Sequence, residues 1–133
     1  MTPVDAGRLP HLPLFGELDH HDLSRVADWL RDVRYEPGQT LMEQGALPYE
    51  IFVLEEGTVE VLRDAERIAT LGPGDVVGEM GPMEQERRTA TVKALTEVRA
   101  VALHADDLEA MSEEMPEIVD QLRQIADRRA AGS

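Results

Sequence analysis

Residues 78–94 read GEMGPMEQERRTATVKA. This stretch gathers the groups that hold an oxyanion. Gly78 follows the apolar pair Val76-Val77 and, without a Cβ, lets backbone N–H groups come close to a ligand. A short helical turn starting there would aim unpaired N–H groups outward, a ready anion site. Arg88 offers a fixed two-pronged donor of the kind that suits phosphate, and Thr89 adds a hydroxyl. Glu79 opposes an anion, yet a carboxylate beside a phosphate can accept hydrogen bonds from sugar hydroxyls. A sugar phosphate therefore satisfies every group, whereas sulfate leaves Glu79 opposed. The same residues also fit a solvated turn carboxylate and a solvated strand edge, so spacing alone leaves both readings open.

Elsewhere the chemistry is sparse. The histidines are His11, His20, His21 and His104, with no His-x-His pair of the kind a metal site on a β-roll needs. His20 and His21 are adjacent and point about 100° apart on a helix. His104 stands alone near a strand end. There is no cysteine, which removes disulfides, thiolate metal sites and a thiol nucleophile. Ser24, Ser112 and Ser133 fall in helices or the tail, so no serine triad is suggested. Glu55-Glu56 and Glu113-Glu114 read as solvated faces. The expectation is a protein that is no enzyme and holds no metal.

The chain has 27 acidic and 13 basic residues among 133, a formal charge of −14. That field repels nucleic acid and anionic membrane, and Arg87-Arg88 is too short a cluster to reverse it. Neither is expected as a partner. The start lacks a basic segment leading into an apolar run, and no apolar stretch approaches the roughly 20 residues that cross a bilayer. The expected location is the cytoplasm.

The elements that must position residues 78–94 are legible from periodicity. Asp19 or Asp22 can cap a helix over 19–33, with Leu23, Val26, Ala27 and Leu30 on one face and Trp29 beside it. From 35 to 103 the texture changes to short runs rich in Val, Ile, Leu and Thr between glycines: TLMEQ, EIFVLEE, TVEVLR, RIATL, TATVKAL and VRAVAL. Such spacing predicts a sandwich or barrel. RDAER reads as a tight hairpin and GPGD, at 72–75, as a defined turn. Then helical periodicity returns over 105–115, with Asp106 as its cap, and over 116–130, opened by Pro116. Ile118, Val119, Leu122, Ile125 and Ala126 form a stripe on the second of these; residues 128–133 are expected to fray. All of this fits one domain over 1–133.

The 78–94 stretch closely resembles the phosphate-binding cassette of the cyclic-nucleotide-binding domain family: Gly-Glu, a short helical turn, then Arg-Thr/Ser-Ala leading into a strand. Here it stands as Gly78-Glu79-Met80 and Arg88-Thr89-Ala90. The flanks YEPGQTLMEQG, IFVLEEGTVEV, ATLGPGDVVGEM and LPLFGELDHHDL match as well, so the resemblance covers roughly residues 12 to 120. It implies a mainly β fold, a jelly roll (double-stranded β-helix) with an amino-terminal helix and two carboxy-terminal helices. It also implies roles. Glu79 would accept from the ribose 2′-hydroxyl, and Arg88 would pair with the cyclic phosphate. Backbone N–H groups of Gly78 to Met80 and of Thr89 to Ala90 would hold its oxygens. Val61, Ile68 and Val77 would line the base and sugar side. The ligand implied is cAMP ahead of cGMP; Thr89 occurs in relatives of both kinds and does not decide the base.

There are departures. Gly81-Pro82 stands where relatives more often carry Ala-Leu, Glu84 and Glu86 bring negative charge towards an anion site, and Arg87 replaces a less polar residue. They give weight to an alternative, a nucleotide-blind jelly roll that serves as a protein-interaction module. No helix-turn-helix is expected after the last helix. The expected output is through the carboxy-terminal helices to a protein partner in trans, with the Ile118/Leu122/Ile125 stripe as lid or as the seam of a homodimer. The alternatives are that the stripe simply packs on the domain's own core, or that the chain is a piece of a longer protein.

Overall fold

The computed structural model describes residues 2–3, 7, 9, 12, 15–16, 18–45, 50–78 and 90–130. After a two-residue strand β1 (Thr2–Pro3) comes helix α1 (His20–Ala27), followed by β2 (Arg31–Tyr35), β3 (Thr40–Met42), β4 (Glu50–Glu56) and β5 (Val59–Arg63). Then come β6 (Glu66–Leu71), β7 (Val76–Val77), β8 (Thr91–Ala94), β9 (Val98–His104) and the helices α2 (Ala105–Glu114) and α3 (Pro116–Ala130). The strands form two antiparallel sheets. One is five-stranded in the order β1-β2-β9-β4-β7, the other four-stranded in the order β3-β8-β5-β6. This is the expected β-roll with one helix before it and two after it.

Strands β4 and β9 are buried on both faces, and the period-2 alternation of a strand sorts their side chains. Phe52, Leu54, Val98, Ala100 and Ala102 face the roll interior with Leu41, Val59, Val77, Val92 and Ala94. Ile51, Val53, Val101 and Leu103 face the helices, packing with Leu23, Val26, Leu108, Met111, Ile118, Val119 and Leu122. One sheet thus serves as a common wall between two cores. The described part of the stripe on α3 lies against this wall: Ile118, Val119 and Leu122 are buried on the chain's own core, while the side chains of Ile125 and Ala126 lie outside what is described. In this structure the three buried residues offer neither a free seam nor an open lid.

Asp19 caps α1, accepting from the Asp22 N–H at 2.8 Å. The helix ends at Ala27, not near Val33. Two i→i+3 bonds, from Trp29 to Val26 (3.0 Å) and from Leu30 to Ala27 (3.2 Å), tighten the exit. Residues 31–35 are taken by β9, to which they pair from Arg31↔Ala102 to Tyr35↔Val98. A second difference concerns α2, whose cap is His104 rather than Asp106. The His104 Nδ1 accepts from the Asp106 N–H at 3.2 Å, leaving Asp106 in the first turn. Pro116 opens α3 where a missing N–H costs nothing, and the helix runs to Ala130, over the expected range. Glu55 is not on a solvated face: its side chain is only 16% exposed and faces the Arg99 Nε at 3.9 Å.

The turns follow their sequences. Asp64 and Ala65 both have positive φ (53° and 66°), the two-residue turn whose twist matches a hairpin. In GPGD, Pro73 takes the second position and Gly74 the third with φ +90°, while Asp75 closes the turn through its N–H to the Gly72 carbonyl at 3.1 Å. Gly74 and Asp75 also clasp Leu54 of β4, at 2.8 and 2.9 Å, which fixes where β7 begins.

Candidate functional site

β7 is only two residues long, but its side chains reach both cores. Val77 is buried in the roll interior, and Val76 packs against the helix-side cluster. The strand is held on β4 through Phe52↔Val77 and Val53↔Val76. Gly78 follows at φ +102°, a backbone that disfavours any side chain. The sequence reading asked for a glycine here so that backbone could approach a ligand, and the chain adopts a conformation that needs one. At the other end of the stretch, Ala90 is half-buried and runs directly into β8. β8 is gripped on both sides, by β5 through Leu62↔Thr91 and Val61↔Val92 and by β3 through Met42↔Val92. The stretch therefore leaves one sheet at its edge and re-enters the other in its interior. Glu79, Met80, Arg88 and Thr89 lie outside the described residues, as do Gly81, Pro82, Glu84, Glu86 and Arg87.

Of the three apolar residues expected to line the ligand, two come together. Val61 and Val77 both belong to the interior cluster, Val77 fully buried and Val61 partly. Ile68 stands apart from it, 50% exposed on β6, an edge strand of its sheet. It is the extra residue where the β5–β6 register shifts from Val61↔Ala69 to Leu62↔Arg67. A bulge re-aims side chains, and this one leaves a large apolar group in solvent beside the interior-facing Val61.

Sequence reasoning missed a polar cluster at this end of the roll. The Gln44 N–H donates to the Thr91 Oγ1 at 3.0 Å, one residue beyond Ala90. The Gln44 amide Nε2 donates to the Asp64 Oδ1 at 2.8 Å, and the Asp64 N–H donates back to the Gln44 Oε1 at 2.8 Å. No motif signals it, since the three residues are far apart in the chain. On the opposite wall Tyr35 packs edge-on to Phe52, ring centroids 6.0 Å apart. Burial, and then the nearby Glu50 carboxylate, push its phenol above the ordinary tyrosine value of 10.0. Among the described residues no group of three or more His, Cys, Asp or Glu could hold a metal ion, and no helix is long and apolar enough to cross a membrane.

The fold is a two-sheet antiparallel roll in which edge strand β7 ends at a positive-φ glycine and the chain re-enters the other sheet at β8. A family model described as the cyclic nucleotide-binding domain matches residues 32–115. The chain belongs to that family. It is 32% identical over 121 residues to a cyclic nucleotide-gated potassium channel of Rhizobium etli, a match covering 91% of this chain and 34% of that protein. It is 30% identical over 92 residues to the cAMP-dependent protein kinase regulatory subunit of Schizosaccharomyces pombe, covering 68% of this chain and 22% of that one. Among solved structures it is similar to the N-terminal domain of a transcriptional regulator from Streptomyces coelicolor. The identity there is 30% and the TM-score 0.75, over 97% of this chain and 94% of that one. The chain spans little more than a third of the curated relatives' length at most. They are regulatory or channel proteins, and nothing in them points to catalysis by this domain.

Proposed function

We propose that this chain is a regulatory module that takes up a cyclic nucleotide, cAMP ahead of cGMP, at residues 78–90 and passes the signal through α2 and α3 to a protein partner in trans. The observation that carries the reading is Gly78 at φ +102°, opening the stretch at the end of β7 where a family member needs close backbone approach. In this reading Glu79 accepts from the ribose 2′-hydroxyl and Arg88 pairs with the cyclic phosphate. The N–H groups of Gly78, Glu79 and Met80, and of Thr89 and Ala90, hold the phosphate oxygens. Val77 and Val61 form the apolar floor, in keeping with their shared cluster, and Ile68 supplies apolar surface for the base. The preference for cAMP draws on the yeast relative, a cAMP-dependent regulator.

The energetics suffice. Micromolar binding needs about 8 kcal/mol, and hydrogen bonds to charged groups contribute about 1.5–3 kcal/mol each. The net charge of −14 does not forbid an anionic ligand, because screening acts within about 8 Å at physiological salt. Signal transfer is supported by β7, whose Val76 touches the cluster that holds α3. A homodimer through α3 would have to use a face other than Ile118, Val119 and Leu122, or displace them from the core.

The test is calorimetric titration of the wild type and of Arg88→Ala with cAMP and with cGMP in separate runs. Micromolar or tighter binding that is lost in the variant is the expected result. No heat with either nucleotide, together with an unchanged melting temperature, would overturn the proposal in favour of a nucleotide-blind interaction module.

A further inference from the structure

The start of β8 is held more firmly than its ladder requires. On the β3 side the last main-chain pair is Met42↔Val92. Beyond it the Thr91 hydroxyl oxygen replaces a ladder acceptor, taking the Gln44 N–H at 3.0 Å. On the β5 side Thr91 is paired with Leu62. Gln44 would be free to swing at the surface, but two reciprocal 2.8 Å bonds tie its amide to Asp64 at the tip of the β5–β6 hairpin. The tip is a two-residue turn, with Asp64 and Ala65 both in the left-handed region. Three strand ends and one hairpin therefore converge on the residue that follows Ala90.

We infer that Gln44, Asp64 and Thr91 form a positioning clamp that fixes the chain where it enters β8 and so presets the Ala90 N–H for the ligand phosphate. The inference rests on the nucleotide reading above. None of the three side chains need touch the ligand. Their contribution is preorganisation: a loop whose N–H groups already point the right way loses less freedom on binding. Because the clamp is exposed, each of its bonds adds little to global stability, and its effect falls on the loop it anchors.

The test uses the full chain and two readouts. Nucleotide affinity is measured by calorimetry, and amide hydrogen exchange at residues 90–92 is measured without ligand. Thr91→Val keeps shape and strand propensity but removes the acceptor. It is expected to weaken binding about three- to tenfold, the range for losing one hydrogen bond, and to speed exchange at 90–92. Thr91→Ser retains the oxygen and should bind within about twofold of the wild type by the same reasoning. Gln44→Glu sets two carboxylates against each other and should also weaken binding; Gln44→Glu with Asp64→Asn turns the side-chain bond round, with the main-chain N–H of residue 64 still donating to residue 44, and should recover it. A merely structural role would lower the melting temperature of these variants while leaving affinity unchanged and the double change without rescue. If the wild type binds and Thr91→Val binds equally well, the clamp is refuted and the nucleotide reading stands. If the wild type takes up neither nucleotide, the functional reading fails instead. Exchange then decides the clamp: faster exchange confined to residues 90–92 keeps it as an anchor of that loop, and unchanged exchange removes it.

Discussion

Leu122 tests whether α3 is part of the domain or a detachable lid. Its side chain is 1% exposed. It helps line a small apolar void between the helices and the common wall, shared with Phe15, Ile51, Val53, Leu103 and Met111. Truncating a buried leucine costs its transfer free energy plus a cavity term, about 2–5 kcal/mol across known cases. A site that already contains a void collapses poorly, so Leu122→Ala belongs in the upper half, about 3–5 kcal/mol. For a chain of this size that is a fall in melting temperature of roughly 10–20 °C. Urea unfolding with an unchanged slope is the assay, since an unchanged slope separates lost stability from an altered unfolded or native state. A loss of this size requires that α3 unfold together with the roll. If instead the helix could leave the wall cheaply, the measured loss would be capped by the free energy that docks it. A loss below about 1 kcal/mol would therefore refute the reading of α3 as core and favour the lid.

Three further outcomes follow from local geometry. Gly57→Ala should destabilise by about 2–4 kcal/mol. Gly57 has φ +93°, and a Cβ there meets the Glu97 carbonyl oxygen and comes within 2.9 Å of the Val98 Cα, all of it backbone; a cost under about 1 kcal/mol in chemical unfolding would show that the 57–58 turn shifts freely. Ala65→Gly should stabilise by about 0.5–1 kcal/mol, because Ala65 sits at φ +66° in a turn that prefers glycine; no rise in the unfolding midpoint would count against the turn assignment. Tyr35 should ionise above 10.0. Its phenol is held neutral in the folded state, so its contribution to stability is whole below pH 10.0 and is lost as pH rises through the raised folded value. Ultraviolet titration of the wild type against Tyr35→Phe reads this directly, and a phenol transition at or below 10.0 that is present in the wild type and lost in the variant would contradict it.

The strands could be read from the sequence because their signals are local. TVEVLR alternates, glycines bound the runs, and β5, β6 and β9 fall on the expected segments. The helix end could not be read, because Leu30 continues the apolar spacing of Leu23, Val26 and Ala27. What stops the helix is β9, some seventy residues away, which claims 31–35 as a strand. The same blindness hid Glu55: a pair of acids looks solvated until Arg99 and the neighbouring strands are brought over it. His104 became a cap because β9 carries it to the lip of α2, a position that residue preferences would have given to Asp106. At the candidate site, residue types alone prompted the proposed roles of Gly78, Glu79 and Arg88, of which only Gly78 is among the described residues. The clamp at Gln44, Asp64 and Thr91 is formed by topology alone.

The placement of Val76 and Val77 bears on how a signal could cross the domain. Neighbouring residues on a strand face opposite ways, so β7 joins the roll interior through Val77 and the helix cluster through Val76 within two residues. Any shift of Gly78 pulls first on this pair. β7 cannot move without breaking Phe52↔Val77 and Val53↔Val76, or carrying β4 with it. β4 in turn presents Ile51 and Val53 to the buried stripe of α3. Packed cores resist continuous deformation and respond by switching between discrete arrangements. A ligand that draws Gly78 towards its phosphate would therefore bias α3 through two side chains and one sheet, with no need for contact between ligand and helix.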